Sequence, residues 1–122
     1  MSVLVKPWDA IQGHYASVAL RVPSARHMEQ LVVAIRGSRY VEGLFAWTSM
    51  FDLCIVQTPA TYPYQGPLLR VSPNEDGELL FRYEDTPDKS KQWQRSVPGD
   101  AGFAMLEHFF TQLGWFPDSL RA

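Results

Sequence analysis

Cysteine is almost missing from this chain: Cys54 stands alone among 122 residues. One thiol excludes an intramolecular disulfide, and a reducing cytoplasm is the simplest home for such a protein. A long apolar run is missing as well. No stretch of about 18 apolar residues could span a bilayer, and the start Met-Ser-Val-Leu-Val-Lys-Pro-Trp lacks the basic and then apolar regions of an export signal. Charge of one sign is not in excess either. Eleven Lys and Arg against thirteen Asp and Glu leave a formal net charge of −2, which provides no general attraction for nucleic acid or an anionic membrane. The expectation is a cytoplasmic protein with no membrane attachment, for which nucleic acid is a disfavoured partner.

Catalytic and cofactor signatures are equally sparse. There is no Gly-x-Ser-x-Gly elbow, no phosphate-binding loop and no Gly-x-Gly-x-x-Gly turn, so the common hydrolase and nucleotide scaffolds find no motif here. His14, His27 and His108 lie far apart, without the spacing by which a tetrahedral metal site declares itself in sequence. Cys54 sits within Leu53-Cys-Ile-Val56, a setting for a small buried side chain rather than an activated nucleophile. No catalytic residue, metal site or cofactor is expected.

What is present is the composition of a folded domain. At 46% hydrophobic and 13% aromatic residues, the chain has enough apolar material to build a core over residues 1–122 as one domain. Apolar residues alternate from Tyr15 to Val22, which reads as a strand ended by Pro23. Ser24 then looks like the N-cap of a helix with Met28, Leu31, Val32 and Ile35 on one face and Gly37 as its stop. Leu44 to Gln57 fits either a helix or two strands joined near Thr48 to Asp52. The β-formers Cys54-Ile-Val-Gln-Thr58 favour the strands.

A clearer hairpin follows. Leu68 to Ser72 and Glu78 to Glu84 flank Pro73-Asn-Glu-Asp-Gly77, whose residues tolerate tight reversal and positive φ. After a polar segment from Thr86 to Gln94, Asp100 precedes a final helix with Phe103, Leu106, Phe109, Phe110 and Leu113 on its apolar face. The expected order is β-α-β-β-β-β-α: an α+β domain with a mainly antiparallel sheet of about five strands and two helices on one face.

Side chains suited to recognition gather from Phe81 to Arg95. Arg82 to Arg95 holds four basic and three acidic residues, a local net of +1, which suits a protein surface better than a polyanion. Trp and Arg are also enriched at the energetic centres of interfaces. The candidate partner-binding residues are therefore Arg82, Glu84, Asp85, Lys91, Trp93 and Arg95. The alternative for Trp93 is that it folds back onto the core. Trp47, Tyr62 and Tyr64 are candidate pocket walls, or a stiff cover over the sheet.

Two functions remain in competition. The first is a non-catalytic domain that docks a protein partner, of the adaptor, regulatory or immunity type. Small acidic α+β domains of bacterial immunity proteins share this general look, an analogy at the level of fold alone. The second is a small-ligand protein or enzyme with an aromatic-lined pocket and Arg82 as its anion anchor. The partner's identity and homo-oligomerisation are left open by the sequence.

Overall fold

The computed structural model describes residues 4–59, 61, 64, 66–74, 76–85, 90 and 92–116. Helices α1 (Trp8–Ala19) and α2 (Arg26–Arg36) come first. Five strands follow, β1 (Phe45–Ser49), β2 (Asp52–Val56), β3 (Pro67–Pro73), β4 (Glu78–Asp85) and β5 (Trp93–Pro98), and α3 (Gly102–Leu113) closes the described chain. The strands form one antiparallel sheet in the order β1-β2-β3-β4-β5. The chain is thus an α+β domain with a five-stranded antiparallel sheet, in the order α-α-β-β-β-β-β-α. No helix among the described residues is long and apolar enough to cross a membrane.

The first element corrects the sequence reading: Tyr15 to Val22 is no strand. Its first part lies in α1, whose buried residues Ile11, Tyr15 and Val18 recur at helical spacing. Alternation would have buried Leu20 alongside Val18, but Leu20 is 88% exposed. Ala16, Val18, Leu20 and Val22 do alternate with Ser17 and Arg21, but that run is short, and the helical spacing of Ile11, Tyr15 and Val18 spans more of the chain. Two anchors fix the helix: Trp8 Nε1 donates to the Leu44 carbonyl at 3.2 Å and Tyr15 Oη to the Phe51 carbonyl at 3.0 Å.

Helix α2 agrees closely with expectation, burying Met28, Leu31, Val32 and Ile35 and ending at Gly37. Its entry differs. A 3₁₀ turn over Pro23–Ala25 leads into it, and no side chain caps it, Ser24 included. The start of α3 is built the same way, by a 3₁₀ turn at Gly99–Ala101 in place of an Asp100 cap. Helix α3 ends where Gly114 takes φ 69° and lets Trp115 N–H bond the Phe110 carbonyl at 3.1 Å, the left-handed stop that glycine accepts without a Cβ penalty.

Both expected hairpins form. Ser49 pairs with Asp52, so Met50 and Phe51 alone turn β1 into β2. Met50 adopts φ 57° with no glycine to relieve it, a conformation that costs an L-residue on the order of 1–2 kcal/mol. In the β3–β4 turn the Asn74 side chain accepts from the Asp76 and Glu78 amides, each at 2.9 Å, while Gly77 supplies φ 79°. The fifth strand is β5, and it begins at Trp93, inside a segment read from sequence as polar connection.

The register sorts side chains onto two faces. Ala46, Ile55, Leu69, Tyr83 and Trp93 form one cross-strand row, and Thr48, Leu53, Val71, Phe81 and Arg95 form the next. This face is covered by α2 and α3, where Phe81 meets Phe109 at 5.5 Å between ring centroids. Helix α1 packs beside α2 and reaches the β1–β2 end of the sheet. Three helices therefore serve where two were expected. Each fully buried large apolar side chain contributes about 1.5–3 kcal/mol.

Candidate functional site

Among the described residues the opposite face of the sheet carries no helix, and it holds a different chemistry. The row Trp47, Cys54, Arg70, Arg82 and Gln94 crosses all five strands. Arg70 and Arg82 are directly opposed, a like-charge pairing that costs stability unless a carboxylate intervenes. Asp52 intervenes: its Oδ2 accepts from Arg70 Nε at 2.7 Å and from Arg82 Nη2 at 3.3 Å. Arg82 Nη2 also donates to Ser72 Oγ at 3.0 Å, while its Nε is buried without a hydrogen-bond partner. The guanidinium of Arg82 is thus held by an acid thirty residues upstream and a hydroxyl on the neighbouring strand.

Arg82, Glu84 and Trp93 meet at one groove of about 480 Å³, which Tyr83, Gln92 and Gln94 complete. Arg82 and Glu84 approach it from the helix-free face. Trp93 approaches from the other face, where its ring stacks on Tyr83 at 5.8 Å and lies 4.1 Å from Phe109. The reading in which Trp93 folds back onto the core therefore describes most of its surface, and the groove receives the remainder. Arg95 is exposed on the helix-covered face and lines a second groove of about 340 Å³ with Trp93, Gln94, Phe109, Gln112 and Leu113. Asp85 is buried, with Tyr83 Oη donating to it at 3.5 Å and its own amide donating to Gln92 Oε1 at 3.1 Å. Burial, with the Asp85 charge second, raises the Tyr83 phenol above its ordinary pKa. Lys91 lies outside the described residues.

Among the described residues, Trp47 and Tyr64 do not line the groove of Arg82. Tyr64 lies against Trp47 at 5.8 Å, edge to face, and its hydroxyl donates to the Pro67 carbonyl at 2.6 Å. Trp47 shares the row of Arg82 but stands on β1, with β2 and β3 between them. Trp93 is on the other face. Tyr62 lies outside the described residues. The histidines are also dispersed: His14 Nε2 meets the Met50 carbonyl at 3.4 Å, His27 Nδ1 meets Gln30 Oε1 at 3.3 Å, and His108 lies beside Phe109. Among the described residues no group of three or more His, Cys, Asp or Glu is placed to hold a metal ion.

Cys54 is 1% exposed. Burial pushes its thiol up from 9.0 to about 11, with Arg70 opposing the shift. The folded state therefore holds this proton more tightly than the unfolded chain does. The contribution is complete below the ordinary thiol pKa and is lost as pH rises from about 9 to about 11. Wild type should accordingly lose its stability advantage over Cys54→Ala across that window, by about 2–3 kcal/mol. Urea denaturation at pH 8.5, 10 and 11 measures the difference between the two proteins. Comparing them removes most of the contribution of Tyr15, whose phenol is raised first by burial and then by the charges of Asp52 and Cys54. A constant difference would show that thiol ionisation is not linked to unfolding.

Arg70, Asp52 and Ser72 were missed by sequence reasoning, although Asp52 and Ser72 hold Arg82 and Asp52 also binds Arg70. Their only sequence signal is parity: Arg70 and Ser72 alternate with buried Leu69 and Val71, and so belong on the face of Arg82 once the β3–β4 hairpin is drawn. Comparison with family models, curated proteins and solved structures returned no match.

Proposed function

We propose that this domain is a non-catalytic binding module that docks a protein partner over the β4–β5 edge of its sheet. The observation that carries the proposal is the meeting of Arg82, Glu84 and Trp93 at one open groove, with Arg95 beside it on β5. A guanidinium held in place, a carboxylate and a half-buried indole together provide directed hydrogen bonding, charge selection and apolar contact in a small area. Preorganisation strengthens the case: Asp52 and Ser72 hold Arg82, while Tyr83 and Phe109 hold Trp93, so less side-chain freedom is lost when a partner binds. The role fits an adaptor, regulatory or immunity-type protein of the cytoplasm.

Glu84→Lys and Arg95→Glu test the reading, because neither group makes an ion pair among the described residues; since Glu84 lies near enough to Arg70 to favour its charge, urea denaturation of both free variants first checks that they fold. Used as baits in native lysate beside wild type, they should each reduce capture of the same protein at least about tenfold, as reversed interfacial charges do. Equal capture by all three baits would reject the surface.

A further inference from the structure

We infer that β5 accepts an extended acidic peptide segment as a sixth, antiparallel strand. The inference rests on the docking function proposed above and names how the partner would be held. Among the described residues, β5 is the last strand of the sheet. The Gly99 amide donates to the Gly77 carbonyl at 2.9 Å, which fixes the parity of the β4–β5 ladder. By the alternation of an antiparallel pair, Trp93, Arg95 and Val97 turn their amides and carbonyls toward β4, while Gln94 and Ser96 turn theirs outward. Pro98 falls at the next outward position, where it has no ladder bond to lose. Gln94, Arg95 and Ser96 are all exposed. The outer rim therefore offers two donors and two acceptors in strand geometry, the arrangement that strand addition uses.

The flanking surface defines the occupant. Residues of an added strand opposite Trp93 and Arg95 point to the helix-covered side, into the groove bounded by Phe109, Gln112 and Leu113. Opposite Arg95, which makes no ion pair among the described residues, a carboxylate is complementary. Opposite Trp93, against Phe109 and Leu113, an apolar side chain is complementary. In an antiparallel strand the acidic residue precedes the apolar one by two positions. A second copy of this chain is a poorer occupant. The two-fold register that uses both outward residues, pairing Gln94 with Ser96 of the copy, sets Arg95 directly against its own counterpart, a destabilising like-charge pair.

The probe is a blocked Thr-Val-Thr-Glu-Thr-Leu-Thr peptide, which places Glu opposite Arg95 and Leu opposite Trp93, titrated into the full chain with amide exchange followed by NMR. Exchange at Gln94 and Ser96 should slow at least about tenfold at saturation, and the peptide with Lys in place of Glu should bind at least about tenfold more weakly. Arg95→Glu should reverse that preference. Ser96→Pro removes one outward amide without touching the β4 ladder and should weaken binding about tenfold or more. If that variant does not fold, the charge reversal still decides. Free exchange at both amides at millimolar peptide, equal binding of the Glu and Lys peptides, or a concentration-dependent dimer protecting the same amides would each overturn the inference. A lysate partner that is lost with Glu84→Lys yet leaves these amides unprotected would sink strand addition while leaving the docking function standing.

Discussion

Phe110→Ala should lower the unfolding free energy by about 3–5 kcal/mol, a large share of the about 5–15 kcal/mol that holds a domain of this size together. Phe110 is fully buried. Its ring touches three others: Tyr40 and Phe116, each at 4.9 Å between centroids, and Trp115, stacked at 6.0 Å. Truncation removes the transfer free energy of the ring and leaves a cavity whose walls are themselves large and constrained. Tyr40 donates to Glu107 Oε2 at 2.8 Å, and the Trp115 carbonyl accepts from Gln57 Nε2 at 2.7 Å. Collapse into the void would disturb both bonds, so little relaxation is expected and the upper part of the range applies. Phe103, half-buried on the same helix, should cost clearly less when changed to alanine. Urea denaturation of both variants checks the order, and an unchanged midpoint for Phe110→Ala would reject this account of how α3 is anchored.

The same helix shows why parts of the fold are legible in the sequence. Phe103, Leu106, Phe110 and Leu113 recur on one face, and the structure buries Leu106 and Phe110 completely while packing Phe103 and Leu113 against the core from its rim. Helix α2 and the β3–β4 hairpin were legible for the same reason, since each pairs a clean period with explicit turn chemistry. Helix α1 was not, because Ala16, Val18, Leu20 and Val22 alternate with Ser17 and Arg21 and so imitate a strand at the C-terminal end of the helix. Strand β5 was hidden by its polar outer face, although Trp93, Arg95 and Val97 alternate with Gln94 and Ser96 up to Pro98.

The candidate site divides along the same line. Arg82, Glu84 and Trp93 were picked out by residue type and do meet at one groove. The groups that restrain Arg82 were hidden, because Asp52 and Ser72 reach it only through strand pairing. Residue chemistry is local information, whereas support for it depends on register.

Trp93→Ala should therefore act through the core as well as through any partner. The indole stacks on Tyr83 and lies on Phe109, so its loss removes apolar contact and two aromatic pairs, each worth about 0.5–1.5 kcal/mol beyond area burial. For a half-buried tryptophan the expected destabilisation is about 2–3 kcal/mol, below the range for full burial. Loss of capture by this variant alone would be ambiguous, because a less stable domain also binds less. Trp93→Phe keeps an aromatic ring between Tyr83 and Phe109 while withdrawing the indole from the groove. It should cost clearly less than Trp93→Ala, because an aromatic ring remains against Tyr83 and Phe109. If the groove contacts a partner, Trp93→Phe should still weaken binding severalfold, and Arg95→Glu should weaken it with no stability change at all. Chemical denaturation of the free variants, run beside capture of the same partner, separates the two roles. Full partner affinity in Trp93→Phe would confine Trp93 to packing and leave Arg82, Glu84 and Arg95 to account for recognition.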